Sequence, residues 1–326
     1  MKKTSTIFYG LLLLGLLVAP FIGFYPVFMM KLLCFALFAS AFNLLLGYTG
    51  LLSFGHAAFF GGAAYVTGYV TKAWGFTPEI GLLAGVLIGG LLGLVFGWLA
   101  IRRQGIYFAM ITLALAQMMY FVALQAPFTH GEDGLQGVPR GALFGVISLA
   151  NDLTMYYVTL AIVVAAFLLI ARTIHSPFGQ VLKGIKENEP RAISLGYDVN
   201  KFKLMAFVIS AALSGLAGAL KTIVLGFATL SDVHWSASGH VILMTLVGGL
   251  GTLSGPLVGS AVVVLVDNKV GELGVLLGKL TSIDWFNSLG ESVTIVTGLI
   301  FVLCVLAFRR GIMGETIAWL GRGRSR

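Results

Sequence analysis

Residues 80–101 read IGLLAGVLIGGLLGLVFGWLAI, 22 positions without one charged side chain. Coiled as an α-helix at 1.5 Å per residue, such a run spans the hydrocarbon core of a bilayer. Outward from it, apolar runs of similar kind lie at 6–25, 28–47, 52–71, 106–126, 153–171, 204–226, 238–250, 255–270 and 292–308. The pattern predicts one all-α transmembrane domain over 1–326, a polytopic helix bundle of about ten spans. Two runs are irregular: 52–71 is crowded with glycine, and 238–250 is too short to cross alone. One or both are expected to be broken or re-entrant, because irregular backbone at membrane depth survives only where protein or a water-filled cavity surrounds it.

The composition agrees. Hydrophobic residues make up 58% of the chain and charged residues 10%, against about 25% charged in soluble domains. The net charge of +8 is scattered between the apolar runs, which points to helix orientation and away from nucleic acid. With ten crossings and both ends on the cytoplasmic side, fifteen of the 21 Lys and Arg residues fall inside, as the positive-inside rule requires. The same topology gives a basic cytoplasmic tail at 309–326. Lys2 and Lys3 ahead of an apolar run suggest a secretory signal, but Pro20 follows Ala19 and Leu17 is not small, so an uncleaved first helix is expected. Cys34 and Cys304 both lie in apolar runs, where packed, inert thiols are expected.

The longest charged stretch between spans is 172–203. Within it, Ser176-Pro177 and Asn188-Glu189-Pro190 read as helix starts, since Ser and Asn cap free amides and Pro suits the first turn. The second start leads to Gly196, a left-handed terminator. A helix this short needs a surface to dock on: its own bundle or a partner protein. The residues alone leave both open.

At this loop a family resemblance becomes specific. Residues 185–196, IKENEPRAISLG, preceded by Ser176-Pro177-Phe178-Gly179, resemble the cytoplasmic loop of the LivM-type permease subunits of branched-chain amino acid ABC transporters. Residues 43–59 (NLLLGYTGLLSFGHAAF), 105–114 (GIYFAMITLA) and 248–259 (GGLGTLSGPLVG) are similar to three further segments of that family, in the expected order. The resemblance implies an inner-membrane importer subunit that passes leucine, isoleucine and valine by alternating access. It also implies its partners: a second, related permease subunit, two ATPase subunits that use ATP and Mg²⁺, and a periplasmic or extracellular solute-binding protein. Glu187, Asn188, Glu189, Pro190, Arg191, Ala192, Leu195 and Gly196 would form the ATPase-coupling loop. One departure stands out. His130 and Glu132, beside Asp133, occupy an external loop where the family usually has Thr-Gly-Gly, a small residue, then Asp-Gly-Leu. Related cargoes such as urea, short amides or other neutral amino acids remain the alternative within this class, and a stand-alone ion-coupled carrier outside it.

The chain carries no GxxxxGK[ST], HExxH or GxSxG motif, so no nucleotide, metal or other cofactor of its own is expected, nor covalent chemistry. Candidate pathway-lining residues are Asn43, Gly47, Gly50, Ser53, Gly55 and His56 in one glycine-rich segment, and Gly248, Gly249, Gly251, Thr252 and Gly255 in the other. Close packing through small residues is the competing reading for each glycine. Offset by 201 positions, Gly47, Gly50, Leu52 and Ser53 match Gly248, Gly251, Leu253 and Ser254, a faint internal echo. For Asn43 and Gln117 interhelical hydrogen bonding is expected, and for Lys221 a reach outward to the membrane interface.

Overall fold

The computed structural model describes residues 2–281, 298–299, 302 and 311–315. It is a helical bundle: α1 (Lys2–Val18), a 3₁₀ turn (Ala19–Ile22), α2 (Pro26–Thr49), α3 (His56–Lys72), α4 (Pro78–Ala100), α5 (Ile106–Gln125), α6 (Asp152–His175), α7 (Pro177–Glu187), α8 (Glu189–Ser194), α9 (Val199–Leu225), α10 (Leu230–Val233), α11 (Trp235–Gly248) and α12 (Gly255–Thr281). The sequence shows no strand, yet the α5–α6 connection holds a two-residue antiparallel pair, β1 (Ala142–Leu143) with β2 (Ile147–Ser148).

Among the described residues five helices, α2, α4, α5, α6 and α9, are long and apolar enough to cross a membrane. They divide by burial. The most apolar stretches of α2 and α9 are 72% buried, against 33% for α4 and 28% for α5. The first pair is therefore the axis of the bundle, while α4 and α5 present apolar flanks outward. On α4, Leu83, Leu87, Leu91, Leu94 and Trp98 are exposed, as a lipid-facing stripe should be. The opposite stripe, Gly81, Gly85, Gly89, Gly93 and Gly97, is buried. A Cβ at Gly85 would stand 2.6 Å from the Ala219 Cβ, and one at Gly89 2.8 Å from the Ala211 carbonyl. The glycines of the 80–101 run thus set the contact of α4 with α9, since only small residues let two backbones come this close.

The two irregular runs carry shorter helices than the other apolar runs. After α2, residues 50–55 are non-helical and α3 begins at His56. The 238–250 run belongs to a 14-residue helix, α11, preceded by the single turn α10. The expected tenth span at 292–308 and the basic tail at 309–326 lie mostly outside the described residues. Cys34 is buried and forms no disulfide among the described residues; Cys304 lies outside them.

Candidate functional site

The charged loop folds as its caps direct. The Ser176 Oγ accepts from the Gly179 amide at 3.3 Å to start α7, and the Asn188 Oδ1 accepts from the Arg191 amide at 3.0 Å to start α8. At the far end Gly196 takes φ +86°, and the Tyr197 amide reaches back to the Ala192 carbonyl at 3.2 Å, closing the helix with its terminal carbonyls satisfied. Asp198 then caps α9. Its carboxylate accepts from the Lys201 side chain at 2.9 Å and from the Lys201 amide at 3.3 Å, which hold that carboxyl below the usual range.

Three attachments fix the loop on the bundle. Leu182, Ile185, Ala192 and Val199 are buried, and the last three form a satellite core with Val181 and Phe202 packed on it. The Lys203 ammonium, only 4% exposed, meets the Glu189 carboxylate at 2.8 Å. Lys186 donates from Nζ to the Gly47 carbonyl at 2.7 Å, and Lys183 lies over the Tyr48 ring at 5.6 Å. The end of α2 has carbonyls without helical partners, so a lysine there is a natural counter-charge to the helix dipole. Beyond these attachments the loop faces away from the bundle. Ile193 and Leu195 are 58% and 69% exposed, and Glu187, Asn188, Pro190, Arg191 and Gly196 are exposed with them.

The Gly47 carbonyl leads to the second cluster. Four residues earlier, Asn43 donates from Nδ2 to the Thr252 carbonyl at 2.9 Å and accepts the Gly251 amide on Oδ1 at 3.0 Å. Asn43 is hydrogen-bonded across the bundle, though to the α11–α12 turn and not to a helix. Gln117 is half-buried and makes no such bond among the described residues. Thr252 also braces its own turn, donating from Oγ1 to the Gly249 carbonyl at 2.8 Å and accepting the Gly255 amide at 3.0 Å. A Cβ on Gly248 would lie 1.9 Å from the Gly255 carbonyl, and one on Gly47 2.8 Å from the Gly251 amide. So the two glycine-rich segments, 201 residues apart, meet. Gly50 and Gly251, matched by the internal echo, both adopt left-handed backbone at φ +77° and +72°, where a side chain would be strained.

The rest of the first segment is stitched to α5, to α11 and to itself. The Phe54 amide donates to the Thr112 Oγ1 at 3.1 Å, the Gly55 amide to the Ser53 Oγ at 3.1 Å, and the Ala57 amide to the Ser238 Oγ at 2.9 Å. His56 is fully buried. Its Nε2 pairs with the Ser210 Oγ at 2.9 Å, and Phe42, Phe59 and Phe207 surround the ring. Its Nδ1 has no hydrogen-bond partner among the described residues. His130, Glu132 and Asp133 stand apart, exposed on the α5–α6 connection with His130 at φ 59°. That connection is fastened by reciprocal backbone hydrogen bonds of Leu135 with Ala228, both 2.9 Å, and by the Val138 amide on the Gly226 carbonyl at 2.8 Å.

Lys221 does not reach outward. It is 4% exposed, its Nζ meets the Asp232 Oδ2 at 2.6 Å, and it stands 4.5 Å from the Phe227 ring centre. Asp232 also accepts the Thr229 amide and hydroxyl, at 2.9 and 3.0 Å. The α9–α10 turn at Gly226 folds the carboxylate back onto the lysine, and a paired charge is far cheaper to bury than a lone one. The signal was available: two opposite charges flank one turn in an otherwise uncharged stretch. Beside this pair lies a cavity of about 250 Å³ between α2, α3, α10, α11 and α12, lined by Lys31, Phe38, Phe60, Asp232, His240 and Asp267 among others. No sequence motif marks it.

Taken together, these features define a multi-pass membrane protein with a docked polar loop at one end and a charged cavity at the other. The model of the family described as "Branched-chain amino acid transport system / permease component" matches residues 27–305, and the chain belongs to that family. It is similar to the "High-affinity branched-chain amino acid transport system permease protein LivM" of Escherichia coli (strain K12), 26% identical over 63% of this chain and 53% of that protein. It is also similar to the "Tyrosine transport system permease protein" of Clostridioides difficile (strain R20291), 28% identical over 53% of this chain and 54% of that protein. The chain thus spans about half the length of the curated relatives it matches. Among solved structures, the one titled "PsaBC from Streptococcus pneumoniae in complex with Fab" is a looser likeness, with a TM-score of 0.43 and 14% identity over 88% of this chain and 95% of that one.

Proposed function

We propose that this chain is the permease subunit of an inner-membrane ATP-binding-cassette importer for branched-chain amino acids, working by alternating access beside a second, related permease subunit. The observation that carries the reading is the α7–α8 loop. It is fixed to the bundle on one side, while Ile193, Leu195, Glu187, Asn188 and Arg191 are left outward on the other. A short helix with exposed apolar side chains between fixed ends suits a groove on an ATPase subunit, which would use ATP and Mg²⁺. Movement of that helix passes through the Lys186–Gly47 hydrogen bond to α2, and through Asn43 to the α11–α12 turn. A solute-binding protein would deliver cargo at the opposite end, where the His130–Asp133 loop lies, and the loop and both chain ends would face the cytoplasm. A tyrosine permease among the relatives keeps aromatic amino acids as the second cargo class.

The test has two arms. Labelled leucine uptake into vesicles holding the whole assembly should require this subunit and ATP. The double substitution Ile193→Ser and Leu195→Ser should leave the subunit folded, because both side chains are exposed, but abolish its co-purification with the ATPase subunits. Full association and uptake after that change, or after scrambling 187–196, would sink the coupling role.

A further inference from the structure

Between Arg140 and Asp152 the α5–α6 connection carries no charged side chain. This stretch holds the β1–β2 pair, and at its tip the Val146 amide donates to the Leu143 carbonyl at 3.1 Å. The two central residues of that turn, Phe144 and Gly145, take φ 51° and 72°. Such a turn asks for Asn, Asp or Gly, and a bulky residue at positive φ is strained. Phenylalanine stands there nonetheless and gains no burial in return. Phe144 is 74% exposed, Val146 85% and Ile147 45%. Strain without packing inside the chain points to a contact outside it.

The place of the hairpin says what that contact is. The Phe144 amide donates to the Glu79 Oε1 at 2.9 Å. Gly141 lies against Pro78, where a Cβ would stand 3.1 Å from the proline ring. Glu79 precedes Leu83 and Leu87 by four and eight residues, so it heads the exposed leucine stripe of α4. From Ile80 to Trp98, both exposed, that stripe runs about 27 Å at 1.5 Å per residue, close to the ~30 Å thickness of the hydrocarbon core. Its end beneath the hairpin is therefore a water–lipid boundary. Trp74 and Phe76, on the α3–α4 turn beside it, are exposed too, and aromatic side chains favour that depth. A soluble protein fits this tip poorly, because transient interfaces are about as polar as the rest of a protein surface. The exposed His130, Glu132 and Asp133 of the same connection suit such a partner better.

We propose that the β1–β2 hairpin is a wedge in the bilayer surface, tethered through Glu79 to the head of α4. Phe144, Val146 and Ile147 lie among the headgroups and upper acyl chains, as apolar faces of surface-bound segments do. The leaflet is the one away from the α7–α8 loop, since α6, 24 residues long and thus about 36 Å, separates the two. The wedge does not depend on which cargo the chain carries or on what drives it.

The test uses the whole assembly in vesicles of phosphatidylethanolamine and phosphatidylglycerol. A nitroxide is placed on Val146→Cys, or on Glu132→Cys as the aqueous reference, with Cys304→Ala in both; Cys34 is buried. Dissolved oxygen, which concentrates in lipid, should relax the label at 146 severalfold more strongly than a water-soluble nickel chelate does. The label at 132 should show the reverse order. A label on Ile147→Cys should also favour oxygen, and adding Phe144→Ser with Val146→Ser should bring its ratio severalfold down toward the value at 132. Both serine changes fall on exposed side chains, so the bundle folds without them. A label at 146 that the nickel chelate relaxes as strongly as at 132 overturns the proposal. So does a label at 146 shielded from both reagents, with or without a solute-binding protein, because that marks a protein contact. An unchanged ratio at 147 in the double serine variant overturns it as well. Uptake enters none of these measurements, so their failure leaves the importer reading standing.

Discussion

The two ends of α2 solve opposite problems. Near Gly47 the helix is closed in: backbone meets backbone at Gly248, Gly251 and Gly255, a single asparagine bridges two chain segments, and a lysine from the loop caps the carbonyls. Near Lys31 it is hollow, with aromatic floor, charged walls and a one-turn helix in place of a long one. Glycine, which reads in a sequence as looseness, makes the tight end. The hollow end is lined instead by larger side chains, Phe35, Phe38, Phe60 and Met244 among them.

The same chemical change at the two ends should show this difference most sharply. Lys221→Met leaves the Asp232 carboxylate buried without its cation and should cost about 3–5 kcal/mol, seen as a large loss of thermal stability in detergent. Adding Asp232→Asn should restore much of it. If Lys221→Met proves harmless, the pair is not the brace of the cavity. Next in size is Gly248→Ala, whose Cβ would lie 1.9 Å from the Gly255 carbonyl, an overpacking worth about 1–3 kcal/mol. Gly90→Ala is its control: the new Cβ would sit 3.6 Å from the Ala212 Cβ in ordinary contact, so the change should be neutral or stabilising by up to ~1 kcal/mol. Equal losses from both would mean that the glycines serve something other than close approach.

Asn43→Leu removes two hydrogen bonds of a kind that averages ~0.6 kcal/mol each within a membrane, so a loss of about 1 kcal/mol is expected by thermal unfolding. Lys186→Met should have the smallest effect on stability, below ~1 kcal/mol, because the lysine sits at an exposed helix end. Its effect on work should be larger, with ATP hydrolysis continuing while uptake falls. Retained uptake in Lys186→Met would break the proposed link between the loop and the closed end of α2.

Much of this was legible in the chain. The 80–101 run, with its lipid-facing leucines, announces a membrane helix because hydropathy needs no partner to be read. Ser176, Asn188 and Gly196 mark the loop helices because capping is local chemistry, satisfied within three or four residues. Asn43 was legible as a hydrogen-bonding residue, but not that its partners lie 208 and 209 positions away. Lys221 was misread because its partner sits eleven residues on, across a turn. A snorkelling lysine and a paired one look alike until the chain folds back.

The sequence by itself therefore determined the solvent of this protein, its class and the helix boundaries of its charged loop, since these follow from composition and short-range hydrogen bonding. Only the tertiary structure decided that the two glycine-rich segments are one junction, that Lys186 ties the loop to it, and that Lys31, His240 and Asp267 share a cavity. Those facts depend on which helices touch. In a bundle whose surfaces are nearly all apolar, steric fit among glycines and a few buried polar contacts choose the neighbours, and neither is written in a local pattern.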